Sequence, residues 1–145
     1  MNRQLERIES VYVTLEERAQ HAAPEAPAHV ESEAYQLHNL YSAIEDLLQM
    51  VAAAFENSVT DLSRWHSQLI DRMTLDVEGM RPALLGEDTA RLLHELRAFR
   101  HFFRHAYVTP LEYERVQSVL EYAYEVRPLL KRDVKSFLET LEAGE

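Results

Sequence analysis

The sequence predicts an all-α protein, and three observations carry that expectation. Only three glycines and five prolines stand in 145 residues, too few for a many-turned β architecture. Apolar residues recur at steps of three and four in five separate stretches, the spacing of one face of a helix. Most of the prolines and glycines fall between those stretches. The expected architecture is an antiparallel helical bundle of four long helices plus one short helix, in a single domain over residues 1–145.

Leu5, Ile8, Val11, Leu15 and Ala19 set the first helix, roughly residues 3–21, with Glu, Arg and Gln on its other face. HAAPEAPAHVE, residues 21–31, has two prolines and no periodicity, and reads as a linker. Leu37, Leu40, Ile44, Leu47, Leu48, Val51 and Phe55 mark a long second helix. Leu62, Trp65, Leu69, Ile70 and Met73 give a short third one, capped near Thr60 or Asp61. DVEGMRPALLGED, residues 76–88, breaks the helical run. The fourth helix starts near Glu87 or Asp88, where acids suit the helix dipole, and buries Leu92, Leu96, Phe99 and Phe103. Thr109-Pro110-Leu111-Glu112 fits a capping box with proline at the first helical position. The fifth helix then carries Val116, Leu120, Ala123, Leu130, Val134, Phe137 and Leu141 inward, with a kink expected near Tyr124 from Pro128.

The chain has no cysteine, which excludes disulfides, thiolate metal sites and a cysteine nucleophile. Its N-terminus, MNRQLERIES, has no apolar core of a signal peptide, and no apolar run approaches the roughly 18 residues of a membrane span. A cytoplasmic protein without a membrane partner is expected. Net charge is −10, which argues against bulk attraction to nucleic acid and against coating double-stranded DNA. The charge is unevenly placed. Residues 90–108 hold Arg91, Arg97, Arg100 and Arg104 against one acid, Glu95, so a local cationic site sits in an acidic body.

His94, Arg97, His101, Arg104 and His105 lie on the side of the fourth helix away from its apolar stripe. Three readings are open. The face is solvated, with arginine stems covering apolar neighbours. Alternatively His101 and His105, at i and i+4 with His94 two turns back, bind a metal, although the surrounding arginines repel a divalent cation. Or the face performs phosphodiester chemistry, in which histidine moves protons and arginine holds phosphate charge. RNA needs no metal or other cofactor for this, because its own 2′-oxygen is the nucleophile. Arg100 and His105 are separated by about 140° on a regular helix. They converge only if the helix frays there or if two chains share one cleft.

RHFFRHAY, residues 100–107, resembles the R-x4-H-x-Y motif of HepT-type toxins, a group of the HEPN superfamily of helical ribonucleases. His101 meets the superfamily's polar position after the arginine. An amphipathic first helix, the long helix around YQLHNLYSAIEDLL and a final helix extend the likeness over most of the chain. The resemblance implies a HEPN-type bundle and a homodimer whose motifs face one cleft and cleave RNA without metal. Arg100 carries over as the phosphate-binding catalytic arginine, His105 as the catalytic histidine and His101 as an orienting residue. Arg104 and Arg97 are accessory RNA-binding candidates. Tyr107 matches the tyrosine that an MNT-type nucleotidyltransferase antitoxin modifies with AMP, the alternative being simple packing against the fifth helix. The rival function is a non-catalytic HEPN module that binds a nucleotide or assembles with such a nucleotidyltransferase.

Other side chains have blander expectations. Glu45-Asp46 is either a holder of an arginine or, more ordinarily, a wet face. Trp65-His66 reads as an anchor of the bundle or of the dimer, with core packing the more ordinary role for Trp65. Tyr113, Tyr122 and Tyr124 offer a base-stacking platform or, more commonly at this spacing, seals between helices.

Overall fold

A computed structural model of the chain describes residues 1–20, 23–55, 68–105 and 110–144. Four long helices form it: α1 (Asn2–Ala19), α2 (Pro27–Phe55), α3 (Glu87–His105) and α4 (Tyr113–Ala143). A shorter helical stretch at residues 68–72 lies between α2 and α3, and no strand occurs among the described residues. The all-α bundle expected from the periodicity is thus present.

Cross-helix pairs fix the directions. Glu9 meets Lys131 and Glu16 meets Arg127, so α1 runs against α4. His38 packs on Phe103 and Glu45 binds Arg100, so α2 runs against α3. Glu33 pairs with Gln117 and Phe55 with Phe137, so α2 and α4 run the same way. The order is up, down, up, down. Leu15, Leu37, Leu40, Ile44, Leu47, Leu48, Leu93, Val116 and Ala123 are among the residues sealed in one continuous core.

Two element boundaries differ from expectation. The segment read as a linker to residue 31 is helical from Pro27, because a proline at the first helical position gives up only an N–H that has no intrahelical acceptor. His29, Val30, Glu33 and Ala34 are consequently buried helix residues. The capping box at residues 109–112 does not open α4. Pro110 and Leu111 precede the helix, and Glu112 is its N-cap with extended backbone and no side-chain cap bond; Thr109 lies outside the described residues. Half-buried Leu111 packs against the core within the non-helical residues 110–112 that precede the helix. Pro128 sits inside α4, removing the donor for the Tyr124 carbonyl, yet the helix continues to Ala143.

The start of α3 is anchored from outside. Asp133 on α4 accepts hydrogen bonds from the Gly86 N–H at 2.9 Å and the Thr89 hydroxyl at 2.5 Å. This satisfies donors at a helix N-terminus and brings a negative charge to its positive end. Before it, the chain reverses at Gly79, whose φ of 77° suits glycine, and buried Arg81 donates to the carbonyls of Leu75, Pro82 and Arg72. The register of α3, and so of its cationic face, is set by these contacts.

Candidate active site

The apolar stripe of α3 forces its cationic residues outward. Leu92, Leu93, Leu96 and Phe99 are buried and Phe103 is half-buried, which turns Arg97, His101, Arg104 and His105 to the far side. Arg97, Ala98, Arg100, His101, Arg104 and His105 line one pocket of about 390 Å³. The rings of His101 and His105 lie 4.5 Å apart at 58°. Arg104 and His105 occupy the last turn of α3, where positive charge complements the helix dipole. Arg100 and His105 thus both border this pocket in a single chain, although α3 is helical through His105.

Arg100 stands apart from the others. Its guanidinium reaches across to α2, where Nη1 donates to Glu45 Oε1 and Nη2 to Glu45 Oε2, both at 3.1 Å. Its Cζ lies 4.6 Å from the centre of the Tyr41 ring. The two side chains are 14% and 7% exposed, so the fork is shielded from competing water. Two of the five guanidinium N–H donors are used in it. Tyr41 is buried, and that burial, with the Glu45 charge beside it, pushes its phenol well above the ordinary range; Arg100 and Arg97 oppose the shift. The expectation that Glu45-Asp46 is a wet face is corrected for Glu45. Asp46 is exposed, whereas Glu45 points inward and fixes the arginine.

His38 is the residue that sequence reasoning missed. Its ring lies 5.6 Å from Phe103 and 6.5 Å from Tyr35. Burial lowers its pKa below the ordinary histidine value, and Arg100 and Arg104 lower it further. A signal was available: His38, Tyr41 and Glu45 are spaced three and four apart, so they share one face of α2 directed at α3.

The remaining candidates separate clearly. His94 is drawn away from the pocket by Asp71, at 2.7 Å from its Nε2. Among the described residues no group of three or more His, Asp or Glu gathers as a metal site would require. Tyr113, Tyr122 and Tyr124 pack against the core as helix seals, with Tyr124 6.4 Å from Tyr12. Tyr107 and the Trp65-His66 pair lie outside the described residues. No helix among the described residues is long and apolar enough to cross a membrane.

The all-α bundle of four long helices is consistent with a HEPN-type fold. A family model described as HepT-like protein matches residues 32–141, which takes in most of α2, all of α3 and nearly all of α4. The chain belongs to the HepT-like family of the HEPN superfamily. No curated protein and no solved structure matches it significantly.

Proposed function

We propose that the chain is a metal-independent endoribonuclease, the toxin of a HepT/MNT-type toxin–antitoxin pair, built as a single domain and acting in the cytoplasm. The observation that carries this reading is the pocket in which Arg97, Arg100, His101, Arg104 and His105 adjoin, with Arg100 braced by Glu45. Family membership supports the toxin–antitoxin context.

Cleavage needs three services. A base removes the proton from the ribose 2′-hydroxyl, whose oxygen attacks phosphorus. Positive charge stabilises the phosphorane, and an acid gives a proton to the departing 5′-oxygen. The P–O5′ bond breaks as P–O2′ forms, leaving a 2′,3′-cyclic phosphate and a 5′-hydroxyl. His105, exposed at the end of α3, is the acid–base residue, and Arg100 holds the phosphate charge. His101 orients His105 through their ring contact, while Arg104 and Arg97 bind flanking phosphates. Two copies in a homodimer supply the second histidine, one serving as base and the other as acid. The antitoxin transfers AMP from ATP to the phenolic oxygen of Tyr107 and releases pyrophosphate; the added negative charge then repels RNA.

A second reading draws on the same Arg100–Glu45 fork, which also suits a bundle retained as a non-catalytic nucleotide-binding or assembly module. Expression in a bacterial host without any partner separates the two. The ribonuclease arrests growth and His105→Ala abolishes the arrest; a binding module gives no arrest that depends on His105.

A further inference from the structure

Tyr35 is 53% exposed and is the one aromatic ring among the exposed large hydrophobic side chains of the described residues. A lone exposed tyrosine requires no explanation, but this one begins a ladder of rings. Its plane lies within 25° of His38 at 6.5 Å; His38 lies 5.6 Å from Phe103; Phe103 stacks on Phe99 at 6.4 Å and 21°. Phe99 is fully buried, so the ladder runs from solvent to the core and its outermost ring rests on a rigid stack. Arg100 and Arg104 leave the same helix beside Phe103, close enough to act on His38. Its Nδ1 has no hydrogen-bond partner among the described residues, so ring contacts rather than a bond at Nδ1 hold the imidazole.

A flat aromatic face next to two guanidinium groups suits a ligand with a π-face and an adjacent anion. An unpaired nucleotide has both, and a base inside a duplex has its faces already covered. The geometry points to Tyr35 and His38 as a stacking subsite for an unpaired nucleobase of single-stranded RNA, with the neighbouring phosphates along Arg100 and Arg104. This rests on the ribonuclease reading and adds its substrate class. Shielding and the two arginines favour the uncharged imidazole, which stacks without needing a counter-ion.

The test is binding of a short 2′-O-methyl RNA strand, which has no nucleophile and is not cleaved, measured by fluorescence anisotropy on the full chain. Tyr35→Ala weakens binding about tenfold, as loss of one stacked base should, and Tyr35→Phe restores it. The matching duplex binds wild type and Tyr35→Ala alike, and sedimentation of the two proteins is the same. Equal single-strand affinity for wild type and Tyr35→Ala overturns the subsite and leaves the ribonuclease reading standing. A change in oligomeric state in Tyr35→Ala overturns it too, assigning the ring to a contact between copies. Failure of wild type to bind the strand removes both the subsite and the ribonuclease reading.

Discussion

Arg100 and Glu45 meet across α2 and α3 in a two-pronged ion pair, each prong 3.1 Å, beneath the face of Tyr41. The pair gives one guanidinium a fixed plane while its neighbours Arg97 and Arg104 have no such fork described. A buried carboxylate without a partner is costly, so Arg100 stabilises α2 as well as bordering the pocket.

Breaking that pair is therefore expected to show in both stability and activity. Glu45→Gln should lower unfolding free energy by about 2 kcal/mol, under the loss for a fully buried pair because Arg100 retains some access to water. Urea denaturation checks this. Arg100→Lys keeps the charge and loses the fork, and it should reduce RNA cleavage while leaving the far-ultraviolet dichroism unchanged.

The lowered pKa of His38 predicts a pH dependence. Its folded value lies below the ordinary 6.5, so the unfolded chain takes up the proton first. The neutral ring's contribution is complete above pH 6.5 and is lost as pH falls toward the lowered folded value. The urea midpoint of wild type should drop between neutral and mildly acidic pH more steeply than that of His38→Gln. Arg104→Ala should raise the His38 pKa, read from its ring resonances in a histidine NMR titration.

Asp133 is expected to control the start of α3. Asp133→Ala leaves the Thr89 hydroxyl and the Gly86 N–H without their acceptor and should cost about 2 kcal/mol, at the upper end for a lost cap. Hydrogen exchange at residues 87–91 should accelerate more than at the centre of α3.

Arg104 is exposed and makes no described ion pair, so Arg104→Ala should leave stability within about 0.5 kcal/mol of wild type. It should weaken binding to RNA strands of different sequence about equally and reduce the salt dependence of binding by about one charge, as a lost phosphate contact does.

Much of this bundle was legible because its apolar periodicity is strong. The stripes of α2 and α3 are buried as their spacing requires apart from half-buried Phe55 and Phe103, and the acids Glu87 and Asp88 do open α3. In α1 only Ile8 and Leu15 of the expected stripe are buried, Leu5 and Val11 are half-buried, Ala19 is exposed, and Gln4 and Tyr12 turn inward instead. Proline and turn signals were less secure. Pro27 was compatible with a linker and with a helix start, and local sequence does not reveal that His29 and Glu33 pair at 3.1 Å in the interior. At residues 110–112 the chain stays outside the helix although the local sequence suits a cap. In the pocket, residue types along α3 identified the cationic cluster, but its support comes from α2. Glu45 resembles any surface acid until the opposite helix places Arg100 over it, and His38 is hidden among apolar neighbours for the same reason. Such cross-helix pairing depends on bundle geometry and leaves only the faint trace of polar residues along a core-facing line.

Metal-independent cleavage of RNA, the activity proposed for this pocket, has a direct test. Wild type and His105→Ala are incubated with total RNA in EDTA, and the cut ends are examined. Cleavage by wild type alone, leaving 2′,3′-cyclic phosphate and 5′-hydroxyl ends, is the expected result. Intact RNA after incubation with wild type whose mass shows no AMP on the chain would contradict it, as would cleavage that persists in His105→Ala.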